Sequence, residues 1–269
     1  MIGLFLGSTN LSSHILKTIK KINKKYFIID LTKNNLFKRD KSSHFINIGK
    51  FGEILNLIHK KKCKKVLFAG KIDKPKISKL RMDFKGLYYL PRIIKAFKLG
   101  DAAILKELIK ILSENKIDVI KLNYFNPELT LKKGIYTKQR PSTNNILEIK
   151  NGINYLNKLS PHNHTQAIVI VDNKIVKKET SSGTKKMIKQ LKKNKIQKGI
   201  LIKFPKKKQD LRADLPTIGY DTLKDCKKVN LKGLVLKSDQ NIFLDQKKSI
   251  NYANKNRIFI QVIWKKFLL

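Results

Sequence analysis

The densest set of groups suited to phosphate chemistry lies in KFPKKKQDLRADLPTIGYDT, from Lys203 to Thr222. Gln209, Asp210, Arg212 and Asp214 fall within six positions between Pro205 and Pro216, and Gly219 and Asp221 follow. Proline at both ends argues against one continuous helix and for a shaped loop. An aspartate pair can hold a divalent cation, which would neutralise phosphoryl oxygens and lower the pKa of an attacking water. The planar fork of Arg212 could clamp the same phosphate, with Lys203, Gln209 and Thr217 as further substrate contacts. A surface ion pair between Asp210 and Arg212 accounts for the same spacing, and spacing alone leaves both readings open.

A second set is KKETSSGTKK, in which Glu179 precedes Ser181, Ser182, Gly183 and Thr184. Hydroxyls and backbone donors at the start of a helix can meet an anion, and Glu179 could add a metal ligand. A capped helix behind a surface glutamate explains these residues equally well. The opening turn Gly7-Ser8-Thr9-Asn10 lacks both GxGxxG and GxxxxGK[ST], so it identifies neither a dinucleotide fold nor an ATPase. No HExxH is present, and His162 and His164 read as solvated loop residues.

The elements that must carry these groups follow an alternating pattern. Ile2 to Leu6, Tyr26 to Asp30 and Lys65 to Phe68 read as strands, separated by helical stretches at Ser12 to Lys21 and around Ile54, Leu55, Leu57 and Ile58. This repetition predicts a parallel sheet with crossover helices. The sequence AGKIDKP then places Gly70 and Lys71 at the carboxyl end of a buried strand, where open α/β sheets bind ligands. Leu87 to Ala96 reads as a helix containing Pro91, and Asp101 as the cap of a second helix over Ala102 to Ser113. Asp118 to Leu122 is a further strand.

The turn-rich stretch from Asn126 to Asn145 predicts a domain boundary between about 125 and 145, dividing the chain into domains over 1–130 and 140–269. In the second half, Ile146 to Leu156 reads as a helix. Gln166 to Val171 and Ile175 to Lys178 form a hairpin through Asp172 and Asn173. A helix over Thr184 to Leu191 and a strand over Gly199 to Phe204 lead into the polar loop. A helix over Thr222 to Val229, a strand pair at Gly233 to Leu236 and Asn241 to Leu244, and a strand over Ile258 to Ile263 complete the pattern. Trp264, Phe267, Leu268 and Leu269 read as a packed tail, with an interfacial anchor as the other reading.

Charge sets the class of partner. The 269 residues include 60 basic and 19 acidic side chains, a net charge of +41, while 41% hydrophobic residues can supply a real core. Nucleic acid, an anionic membrane surface and phosphorylated small molecules all reward such a potential. Only six of the 60 basic residues are arginine, which disfavours a base-reading face. Cys63 and Cys226 lie too far apart in sequence for a redox motif or zinc knuckle, and fit a reducing compartment. The start carries no basic n-region and no spanning apolar stretch, so a cytoplasmic location with peripheral membrane contact is expected.

GLFLG at the start, AGKIDKP, FKLGDAAIL, QAIVIVDNKIVKKETSSGT and above all KQDLRADLPTIGYDT resemble the LpxI family of UDP-2,3-diacylglucosamine pyrophosphatases, from Ile2 to Ile263. The resemblance implies an amino-terminal Rossmann-like domain followed by a distinct carboxy-terminal α/β domain. It also implies Mg²⁺- or Mn²⁺-dependent attack at the α-phosphorus, releasing UMP and 2,3-diacylglucosamine 1-phosphate. A homodimer at the anionic inner-membrane surface is implied too, with no nucleic acid partner. Residue by residue, Asp214 corresponds to the essential carboxylate, with Asp210 and Arg212 beside it and Asp214, Asp210 and Glu179 as metal ligands. Gly7, Gly70, Lys71, Pro75, Gly183 and Thr184 match the family's glycine-containing loops. The chain departs from the family in GST for GNG, GDA for GDD, and SGTK for EGTD. The competing readings are a non-enzymatic basic nucleic-acid-binding protein and a pyrophosphatase for a soluble nucleotide sugar.

Overall fold

Five apolar residues in a row bury completely in the first strand, β1 (Ile2–Leu6), as expected for a parallel strand covered on both faces. A computed structural model describes residues 1–72, 80–160, 163–191 and 199–264. Contacts divide the chain into two units: Met1–Pro127 with Asp210–Asp214, and Glu128–Gln209 with Leu215–Leu269.

In the first unit β1 leads to α1 (Asn10–Lys21), β2 (Tyr26–Asp30), β3 (Ser43–Phe45), α2 (Phe51–Lys60), β4 (Lys65–Ala69), α3 (Phe84–Leu99), α4 (Asp101–Glu114) and β5 (Asp118–Val119). The strands pair in the order β3-β2-β1-β4-β5, all parallel. The order reverses between β1 and β4, so the ends of those two strands form the switch point of the sheet. Phe5 and Phe68 stack with ring centroids 4.6 Å apart, in a cluster with Ile54, Leu55 and Ile58 of α2 and Ile111 and Leu112 of α4. Leu11, Ile15 and Ile19 bury along one stripe of α1, the helical spacing that the sequence displays.

The second unit contains β6 (Gly134–Ile135), α5 (Thr143–Lys158), β7 (Ala167–Val171), β8 (Lys174–Lys178), α6 (Thr184–Lys189), β9 (Ile200–Lys203), β10 (Thr217–Ile218), α7 (Tyr220–Lys228), β11 (Gly233–Lys237), β12 (Ile242–Phe243), α8 (Gln246–Lys255) and β13 (Phe259–Ile263). A mixed sheet runs β6-β13-β11-β9-β7-β8, with a parallel centre and antiparallel edges. Alternation along the strands feeds two cores. Ala167 and Val169 join Met187, Leu223 and Ala253 on one face, while Ile168 and Ile170 join Ile149 and Ile153 of α5 on the other. The helix approaches so closely that a Cβ on Gly152 would lie 2.4 Å from Ile202. The β7–β8 hairpin turns through Asp172 and Asn173, both at positive φ as a tight two-residue loop requires.

The two-domain α/β architecture expected from the sequence is present, with several local differences. Asp101 is the first helical residue of α4 rather than its cap; that position is Gly100, whose φ of 101° suits glycine. The β5 pairing stops at Val119, and Leu122 instead donates its amide to Arg212. The segments at Gly233 to Leu236 and Asn241 to Leu244 do not pair with each other. β11 lies between β9 and β13, and β12 pairs with β10. Trp264 is 57% exposed, so the packed reading of the tail fails at that residue; Phe267, Leu268 and Leu269 lie outside the described residues. No helix among the described residues is long and apolar enough to cross a membrane.

Candidate active site

The polar loop folds as a shaped turn. The amides of Ala213 and Asp214 both donate to the Asp210 carbonyl, at 3.3 and 2.9 Å. The Asp210 carboxylate accepts from the Arg212 amide at 2.9 Å, from Nε at 3.0 Å and from a terminal guanidinium nitrogen at 2.7 Å. These bonds hold the Asp210 carboxyl below its ordinary pKa, and the field of Lys106 adds to the shift. Arg212 is thus a brace for the turn. Two of its five N–H donors are engaged, and the rest belong to a side chain 46% exposed, so a contact to an anion remains open to it. Asp214 is half-buried at the end of the turn.

The five residues Asp210–Asp214 belong with the first unit, although the sequence reading assigned all of 140–269 to the second domain. Two local contacts account for this. The Arg212 carbonyl accepts from the Leu122 amide at 2.8 Å, and Ala213 packs against the apolar cluster around α2 and α4.

The other candidates from this loop belong to the second unit. Lys203, at the end of β9, is buried and donates Nζ to the Thr217 carbonyl at 3.1 Å, while its own carbonyl accepts from Asn241. Gln209 is buried, and its Oε1 accepts from the Lys206 amide and from Gln166 Nε2, both at 2.9 Å. Among the described residues Gln209 Nε2 has no hydrogen-bond partner. Gln166 and Asn241 were missed by sequence reasoning; a lone amide just before a β-branched strand was the only signal for Gln166.

Glu179 follows β8 and is also buried. Its amide donates to Ala167, its Oε1 accepts from Thr184 Oγ1 at 2.9 Å, and its Oε2 has no partner among the described residues. Gly183 has a φ of 86° with open space where a Cβ would stand, so backbone conformation rather than crowding calls for glycine. The surface-glutamate reading is therefore incorrect: Glu179 is a buried acid bonded to Thr184, the first residue of α6.

At the switch point of the first unit the strand-end loops pack against each other. Gly7 donates its amide to Ala69 at 2.8 Å, Ser8 donates to the Lys71 carbonyl at 2.9 Å, and Ser12 Oγ lies 2.8 Å from both the Gly7 and Ala69 carbonyls. A Cβ on Gly7 would stand 2.2 Å from the Lys71 carbonyl oxygen, and one on Gly70, where φ is 85°, would stand 2.2 Å from Ser12 Oγ. Both glycines are needed for this packing, and the Gly7 and Ser8 amides are already engaged. Asp30, the acid ending β2, is likewise occupied, accepting from Thr32 and from the Phe37 amide.

Among the described residues no three His, Cys, Asp or Glu side chains gather to hold a metal ion. Pro75 and His162 lie outside the described residues, and His164 is exposed.

Comparison with known proteins adds two findings. A family model described as the LpxI N-terminal domain matches residues 1–129, and one described as the LpxI C-terminal domain matches residues 132–261. The chain is also 26% identical over 223 residues to a protein of Caulobacter vibrioides named UDP-2,3-diacylglucosamine pyrophosphatase LpxI, covering 80% of each sequence.

Proposed function

The chain belongs to the LpxI family, and on that premise we propose that it is a hydrolase of the pyrophosphate bond of UDP-2,3-diacylglucosamine. Attack at the α-phosphorus would give UMP and 2,3-diacylglucosamine 1-phosphate. The observation that carries the reading is the match of both family domains, which together run from residue 1 to 261.

Asp214 is the residue proposed to act on the reacting water. Its amide is fixed on the Asp210 carbonyl at 2.9 Å, so the backbone sets the starting point of its carboxylate. Asp210 positions Arg212, whose remaining N–H donors can meet a non-bridging phosphate oxygen. Lys71 is the proposed cation from the β4 loop. Gly7 and Gly70 serve the packing of that loop, while Gly183, Thr184, Lys203, Gln209 and Thr217 remain proposed substrate contacts. The departing group is a sugar phosphate, itself an anion that needs little help from a general acid.

A hard cation such as Mg²⁺ needs only one or two carboxylates where phosphate oxygens and water complete its shell. Asp214 and Asp210 are the carboxylates proposed to supply that donor chemistry, and both Asp210 oxygens also accept from Arg212. When bound, Mg²⁺ or Mn²⁺ would supply Lewis acidity at the phosphate. Glu179 is proposed as a further ligand. A homodimer working in the cytoplasm, peripherally on the anionic inner membrane, completes the proposal.

The test is UMP release from UDP-2,3-diacylglucosamine in the presence of Mg²⁺ or Mn²⁺. Release by the unchanged chain and its loss in Asp214→Asn are expected. No release from folded, unchanged protein with either ion would overturn the reading.

A further inference from the structure

Helix α3 is apolar on two sides, and only one of them is covered. Its sequence, FKGLYYLPRIIKAFKL, places Tyr89, Ile93 and Ala96 at helical spacing on the inner face. Tyr89 and Ile93 pack against the core of the first unit, and Tyr89 meets the Phe51 ring edge-on at 5.7 Å. Phe84, Leu87, Tyr88, Pro91 and Ile94 recur three and four residues apart on the opposite face. There Phe84 is 85% exposed, Tyr88 69% and Leu87 56%, with Leu99 at 64% extending the stripe. Soluble proteins seldom leave contiguous apolar surface of this kind without a partner.

The helix is braced. Asp83 caps it through the Gly86 amide at 2.7 Å and also accepts from Glu53 of α2 at 2.9 Å. Arg92 binds Glu107 at 2.6 Å and both carboxylate oxygens of Glu114 at 2.7 and 2.8 Å, tying α3 to α4. Loose packing therefore does not explain the exposed stripe.

Charge selects the partner. The 16 residues of α3 contain no acid, and Arg92 is taken up by its two glutamates. Lys85, Lys95 and Lys98 are exposed, the last two on the same arc as the stripe. A second copy docked symmetrically would set these lysines against their own counterparts with no acid on the helix to offset them. An anionic bilayer suits both features, apolar side chains entering the acyl boundary and lysines meeting headgroups. We infer that the exposed face of α3 is the surface by which this protein docks on an anionic lipid bilayer. The inference rests on the proposed lipid substrate only for its purpose, since binding is measured without hydrolysis.

The full chain is sedimented with vesicles of equal parts phosphatidylglycerol and phosphatidylcholine, and with phosphatidylcholine alone. Binding to the anionic vesicles is expected. In Phe84→Ser/Leu87→Ser/Tyr88→Ser it should weaken by about tenfold or more, with the melting transition retained. Lys85→Gln/Lys95→Gln/Lys98→Gln should lose about fivefold per lysine at low salt and show a flatter salt dependence. UMP release from detergent-dispersed substrate should match the unchanged chain in both variants. Failure of the unchanged chain to bind, or serine-variant binding equal to it, would overturn the inference. So would a change of oligomeric state in the serine variant with vesicle binding intact, which assigns the stripe to a second copy. Absence of hydrolysis in every variant would count against the proposed reaction and leave the vesicle result standing.

Discussion

The two acidic loops differ in what holds them. The turn Asp210–Asp214 is fastened by its own backbone and by an ion pair whose arginine is nearly half exposed. Glu179 is buried, with one carboxylate oxygen bonded to Thr184 and the other without a partner among the described residues. A half-exposed pair contributes little to stability, whereas an unsatisfied buried group costs about 1–3 kcal/mol. Substitutions in the first loop should therefore show mainly in activity, whereas those in the second should cost stability whatever they also do to the proposed metal and substrate contacts.

Asp214→Asn offers the sharpest separation. It keeps the size and half-buried setting of the side chain and removes its charge, so hydrolysis should fall by about 10²–10⁴-fold. The thermal midpoint should stay close to that of the unchanged chain. A large loss of stability with activity retained would reverse the assignment of roles.

Thr184→Val tests the other half of the comparison. The substitution preserves shape and takes away the Thr184 donor to Glu179 Oε1, leaving both oxygens of a buried carboxylate without partners among the described residues. Denaturant titration should show a loss of about 1–3 kcal/mol. Glu179→Gln made in the Thr184→Val background should recover part of it, because the buried charge is then gone.

The sequence made the regular elements more legible than these loops. The run Ala167 to Ile170 is buried on both faces of β7, as an unbroken apolar, β-branched stretch suggests, and the stripe of α1 has helical spacing, because both patterns are local. The partners of β10 and β12 were not legible. Each is two residues long, and their pairing joins Thr217 to Ile242 across a helix and a strand. The QDLRAD run identified the Asp210–Arg212 pair as one reading, but membership of that turn in the first unit depends on Leu122 and Ala213, whose types carry no such signal. Burial of Glu179 was hidden for a related reason: glutamate before a Ser-Ser-Gly stretch resembles a solvated turn, and the contacts of Thr165, Ala167 and Thr184 that hold it do not show in that stretch. In α3, apolar residues on both faces left undecided which face the protein covers.

The smallest expected effect concerns pH. Hydrogen bonding and charge from Arg212 depress the Asp210 pKa in the folded chain below the ordinary 3.8. A carboxyl depressed on folding contributes stability that is present above its unfolded pKa and is lost as pH falls through the folded value. Arg212→Ala removes the cause, so the variant should be less stable than the unchanged chain near neutral pH by no more than about 1 kcal/mol, the range for exposed pairs. That gap should close as acid protonates Asp210 in both proteins. Melting curves recorded from neutral pH down to below the ordinary carboxylate range would measure it. A gap that persists unchanged in acid would mean that the Arg212 side chain holds the turn through its packing, and that the ion pair is incidental to the geometry Asp214 depends on.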